Sequence, residues 1–64
     1  MKANMVSELI RQYESTHDLA MLETIADRYC EYRLEEPIEW MEELIDSSHE
    51  SNAIYDAINR RYLD

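Results

Sequence analysis

Apolar residues recur along this chain at the three- and four-residue spacing that lines one face of a helix. Val6, Leu9, Ile10 and Tyr13 stand at i, i+3, i+4 and i+7, behind Asn4 as an N-cap. They predict a first helix of about ten residues ending near Glu14. Ser15-Thr16-His17-Asp18 then matches the S-x-x-D/E start signal. Leu19, Leu22, Ile25, Ala26 and Tyr29 continue one apolar face, so a second helix should run to about Arg33. Its opposite face carries Glu23, Asp27 and Glu31. The like-charge neighbours Glu23–Asp27 and Asp27–Glu31 are only partly offset by Arg28 and Arg33.

Pro37 biases Glu36 away from the helical region and suits the first turn of a third helix. Ile38, Met41, Leu44 and Ile45 form that helix's apolar stripe, with Trp40 at its edge. The polar break Ser47–Asn52 follows, and Ser47…Glu50 matches a capping box. Ile54, Ala57, Ile58 and Arg61 line a fourth helix, with Tyr55 and Tyr62 beside it. No segment alternates with the strand period. The expected fold class is all-α: a compact bundle of three to four short helices, in a single helical domain over residues 1–64.

Composition narrows what such a bundle can do. The chain is 45% hydrophobic, enough for one thin core but not for a deep substrate cleft. Gly is absent, which excludes a Gly-rich phosphate loop and a dinucleotide fingerprint. One Cys excludes an internal disulfide framework and a Cys-based zinc site. A lone Cys without a signal sequence leads us to expect a reducing cytoplasm. The longest apolar runs are a few residues, so no membrane span is expected.

Charge changes the picture most. The net charge is −9, from 15 acids against six bases. That sign disfavours direct binding to nucleic acid or to an anionic membrane, and favours a protein partner with a basic surface. The distribution is uneven. Residues 1–34 carry a net −2 and residues 57–64 a net +1, whereas residues 35–56 carry a net −8 with no Lys or Arg. Glu35, Glu39, Glu42, Glu43, Asp46 and Glu50 recur every three or four residues opposite Ile38, Met41 and Ile45. At a rise of about 1.5 Å per residue, successive carboxylates stand roughly 5–6 Å apart. Phosphates along a DNA strand have a comparable repeat. These six acids, with Trp40 as an apolar anchor, are the expected partner-binding residues. The alternative is a solvated helix face whose first-turn acids complement the helix dipole.

Other chemistry has less to stand on. Glu14-x-x-His17 and Asp46-x-x-His49 copy the acid–histidine spacing of di-metal bundles. Here, however, one His falls at a helix start and the other in a loop, so exposed histidines are expected and no metal or other cofactor. Cys30 lies among Tyr29, Glu31 and Tyr32, where carboxylates would hold a thiol protonated. An enzyme is not expected. Tyr and Trp serve equally as core filler or as binding anchors.

Leu22-Glu23-Thr24-Ile25-Ala26-Asp27-Arg28-Tyr29, followed by Leu34-Glu35-Glu36-Pro37-Ile38-Glu39-Trp40-Met41-Glu42-Glu43, resembles the central part of the late-transcription coactivators of T4-like phages. The resemblance covers about half the chain. It implies a small acidic helical protein that grips the host RNA polymerase in the host cytoplasm. The clamp-binding C-terminal epitope of that family is not recognisable in Arg60–Asp64. The acidity and Leu22–Asp27 are also similar to DNA-mimic antirestriction proteins, which implies action on a nuclease or restriction enzyme. The expected function is a non-enzymatic binding protein acting on host nucleic-acid machinery. Its rival is a homodimeric helical module whose charge serves only solubility.

Overall fold

Four helices form in the order the apolar spacing predicts. In the computed structural model they are α1 (Lys2–Thr16), α2 (Leu19–Arg33), α3 (Glu39–Asp46) and α4 (Ser51–Leu63). The structure describes residues 2–35 and 37–63, with side chains for 5–35 and 37–61. Tyr62 therefore lies outside the described side chains. No strand is present among the described residues, and the fold is an all-α bundle of short helices. None of these helices is long and apolar enough to cross a membrane.

The helix boundaries differ from the sequence expectation where local cap signals compete. α1 begins at Lys2, so Asn4 lies inside the helix and does not cap it. No Gly or Pro near the N-terminus interrupts the ladder. Ser15 and Thr16 likewise remain helical, and Thr16 Oγ1 donates back to the Gln12 carbonyl at 2.8 Å. The break comes at His17, whose φ of 54° is left-handed. A helix that ends this way normally uses Gly, and this chain has none. The strain is offset locally. His17 N donates to the Tyr13 carbonyl at 2.7 Å, and its ring stands edge-on to the Tyr13 ring at 5.5 Å. Asp18, not Ser15, then caps α2 by accepting from Ala20 N at 3.0 Å.

Pro37 was expected within the first turn of α3 but precedes its cap residue Ile38. Ile38 makes no side-chain cap; it is 7% exposed, and its carbonyl accepts from Met41 N and Glu42 N. Burial of an isoleucine, not capping chemistry, sets this start. Glu39 and Glu42 in the first turn complement the helix dipole there. Before α4 the cap-like hydroxyl belongs to Ser48, which accepts from Glu50 N at 3.0 Å. Ser47, expected in that role, donates back to the Glu43 carbonyl.

α2 packs between α1 and α4, and α3 closes the bundle against the same two helices. One apolar cluster joins all four. Val6, Ile25, Met41, Ile45 and Ile54 are wholly buried, with Ile10, Tyr13, Leu22, Ala26, Ala57 and Ile58 around them. Each such aliphatic side chain stabilises the fold by about 1.5–3 kcal/mol. The radius of gyration is 10.6 Å, close to the roughly 10.7 Å of a compact chain this long. Leu19 departs from its expected place. It opens α2 but is 70% exposed, beside the end of α4. Tyr32, outside the expected stripe, takes its share of the core at 7% exposure.

Candidate partner-binding surface

The acidic row divides into an outer and an inner set. Glu39 and Glu43 on α3 are exposed, as is Glu35 in the turn after α2. Glu42 and Asp46, on the same helix, accept hydrogen bonds from neighbouring helices. Tyr29 OH donates to Glu42 Oε2 at 3.0 Å, and Tyr55 OH donates to Asp46 Oδ1 at 2.8 Å. Glu50, beyond the helix, pairs with His17 Nε2 at 3.0 Å. Trp40 is half-buried, packs against the core and lies 5.9 Å from the Tyr32 ring at a 47° tilt. Trp40 is thus held by its own fold, with only part of its ring left to a partner.

The helix period explains this division. Met41 and Ile45 face the core at 0% exposure, which turns Glu39 and Glu43 to the opposite side and leaves Glu42 and Asp46 on the flanks that Tyr29 of α2 and Tyr55 of α4 reach. The tyrosines that reach the row are anchored by α2 and α4. The Tyr55 phenol is pushed up from its ordinary pKa, first by burial and then by the Asp46 hydrogen bond and charge. A phenol that stays protonated is a fixed donor. It satisfies a carboxylate oxygen without cancelling its charge.

Another group of contacts was not anticipated. Glu14 Oε2 accepts from Ser48 Oγ at 2.8 Å and from His49 N at 3.1 Å, so the end of α1 holds the α3–α4 loop. Those two hydrogen bonds lower the Glu14 carboxyl pKa. The resulting stability is present above the ordinary carboxylate range and is lost as pH falls through the folded value. The two acid-x-x-His pairs are thereby redistributed: Glu14 bonds to the loop, and His17 bonds to Glu50. Among the described residues, no three His, Cys, Asp or Glu side chains converge as a metal site. The signal for Glu14 was its place four residues after Ile10, on the margin of the buried stripe.

Arg61 was the charged end of an apolar line, and that position is explained by what it reaches. Its Nη1 lies 2.9 Å from Asp27 Oδ1, and its Nη2 lies 3.8 Å from Glu23 Oε2 and donates to the Glu23 carbonyl. These bonds tie the end of α4 to the first half of α2 and relieve the Glu23–Asp27 repulsion. Arg28 pairs with Glu31 at 3.4 Å. Cys30 is half-buried.

No family model, curated protein or solved structure matches the chain.

Proposed function

We propose that this chain is a non-enzymatic binding protein that docks the acidic face of α3 on a basic surface of a protein that handles nucleic acid. The observation that carries the reading is the exposure of Glu35, Glu39 and Glu43, within a span of residues 35–56 that contains no Lys or Arg. Asp46 extends the row. Such a face attracts a basic groove over roughly a Debye length and raises the association rate. The exposed part of Trp40 supplies apolar contact that slows dissociation. The resemblance to small acidic phage proteins favours host machinery as the target class: RNA polymerase, a nuclease or a restriction enzyme.

Tyr29 and Tyr55 bond to Glu42 and Asp46, so the clean variant carries Glu39→Gln with Glu43→Gln. Gln keeps helix propensity and side-chain length. The immobilised protein would be challenged with the heparin-retained fraction of a cell lysate, which is enriched in proteins with basic nucleic-acid-binding surfaces. The parent should capture partner at low salt and release it as salt rises. The double variant should associate more slowly, with a flatter salt response. Equal capture and equal salt response by the two proteins would overturn the reading.

A further inference from the structure

A groove of about 160 Å³ separates α1 from α3, with Ile10 at its floor, Leu44 and the cap residue Ser47 on one wall, and Ser7, Arg11 and Glu14 on the other. The hydrogen bond from Ser48 Oγ to Glu14 Oε2 closes one end. Trp40 stands one helical turn from Leu44 on the same flank of α3 and continues the apolar wall toward the other end. Ile10 is spent on the core, but Leu44 and Trp40 are only half-buried and keep apolar surface for a neighbour. The volume suits one side chain and is too small for a typical small-molecule ligand.

The two walls differ in charge. On the α1 wall the Arg11 guanidinium and the Glu14 carboxylate offset each other, and Glu14 is already held by Ser48 and His49 N. On the α3 wall Glu39 and Glu43 immediately precede Trp40 and Leu44. Two exposed acids therefore run beside the apolar pair, roughly 100° around the helix, in a span of residues 35–56 without Lys or Arg. An occupant must be apolar where it enters and basic along one edge. An extended chain is disfavoured, since no strand edge offers it backbone hydrogen bonds among the described residues. A proline-rich chain needs neighbouring exposed aromatic rings, and Tyr32 beside Trp40 is 7% exposed. A helix meets both demands, because its i, i+4 positions repeat at the same roughly 6 Å as the Trp40/Leu44 and Glu39/Glu43 pairs. Building on the docking of the α3 acidic face, we propose that the α1–α3 groove takes a basic amphipathic helix of the partner. One aliphatic side chain enters beside Leu44, another a turn away covers Trp40, and Lys or Arg on the edge above α3 meet Glu39 and Glu43.

The probe is an alanine-based helical peptide of about 18 residues, without Trp, that carries Leu at i, i+4 spacing and Lys along one adjacent edge. Its isomer has the same composition with the Lys residues on the face opposite the leucines. Trp40 is the chain's single Trp, so its fluorescence reports binding. The edge peptide should bind the parent about tenfold tighter than the isomer. Leu44→Ala should weaken the edge peptide on the order of tenfold by removing apolar contact, with the salt response unchanged. Ser47→Lys places a base at the exposed end of α3, where the helix dipole favours it, so its melting temperature should stay near the parent's. It should still weaken the edge peptide about tenfold by facing the basic edge. No binding of either peptide overturns the inference, and so does equal binding of the two. Affinity that survives a Pro in the middle of the edge peptide, or that ignores both Leu44→Ala and Ser47→Lys, overturns it as well. Capture of the heparin-retained fraction separates two failures. If Glu39→Gln with Glu43→Gln lowers capture and Leu44→Ala does not, the groove falls and the acidic-face reading stands; if neither lowers it, both fall.

Discussion

On the α2–α4 side, Glu23 and Asp27 meet the guanidinium of Arg61; on the α3 side, Glu42 and Asp46 meet the phenols of Tyr29 and Tyr55. Both arrangements give carboxylate oxygens a donor, and both tie neighbouring helices together. They differ in what remains outside. An ion pair cancels charge, so where α4 brings Arg60 and Arg61 beside Glu23 and Asp27 the acids and bases end in near balance. A phenol donates a hydrogen bond and leaves the carboxylate's full charge in place. The α3 side is therefore structurally satisfied and still strongly negative. Satisfying a carboxylate and neutralising it are separate operations, and this bundle performs them on different faces.

The two sides also differ in how firmly they are rooted. α2 buries Leu22, Ile25, Ala26, Tyr29 and Tyr32, whereas the eight residues of α3 bury Met41 and Ile45. Met41→Ala should consequently have the largest effect, with a loss of about 2–4 kcal/mol in urea unfolding. Trp40 fluorescence should report the loosening of α3. A loss under about 1 kcal/mol would mean that the α3 side does not depend on its two buried anchors.

A smaller effect distinguishes the phenol. Tyr55→Phe should cost about 0.5–1 kcal/mol at neutral pH by removing the hydrogen bond from half-buried Tyr55 to exposed Asp46. Because the folded phenol is held above its ordinary value, its contribution is fully present below pH of about 10 and is lost as pH rises through the folded value. Urea midpoints measured up the alkaline limb should fall less steeply in the Phe variant. Parallel alkaline limbs would remove the Tyr55–Asp46 bond from the comparison.

The smallest effect belongs to the guanidinium. Arg61 and its partners are 36% and 61–68% exposed, so Arg61→Gln should cost about 0.2–1 kcal/mol at low salt and almost nothing at high salt. The salt sensitivity distinguishes it from Tyr55→Phe, whose cost should hardly change with salt. Reversed salt responses would break the distinction between charge cancelled and charge retained.

The helical period, read along the chain alone, located the four helices and placed Val6, Ile10, Tyr13, Leu22, Ile25, Met41, Ile45, Ile54 and Ile58 in the core. Period and burial share one cause, since a helix turns its side chains by a constant angle and a thin core needs one apolar face from each. The uneven charge was equally legible, because it is a property of composition along the chain. Helix ends were less so. Asn4, Ser15 and Ser47 each carried a valid local cap signal, but His17 in a left-handed conformation, the burial of Ile38 and the reach of Ser48 to Glu50 decided where the chain turned. Local cap energies are about 1 kcal/mol and yield to packing.

What only the tertiary structure decided was which acids of the row have partners. Glu42, Asp46 and Glu50 look like Glu39 and Glu43 in the sequence, and differ because Tyr29, Tyr55 and His17 arrive from other helices and loops. The Glu14 hold on the α3–α4 loop, the Arg61 bridge and the α1–α3 groove arose in the same way. Each joins residues 9 to 38 positions apart or juxtaposes two helix faces, and a one-dimensional period carries no information about which faces will meet.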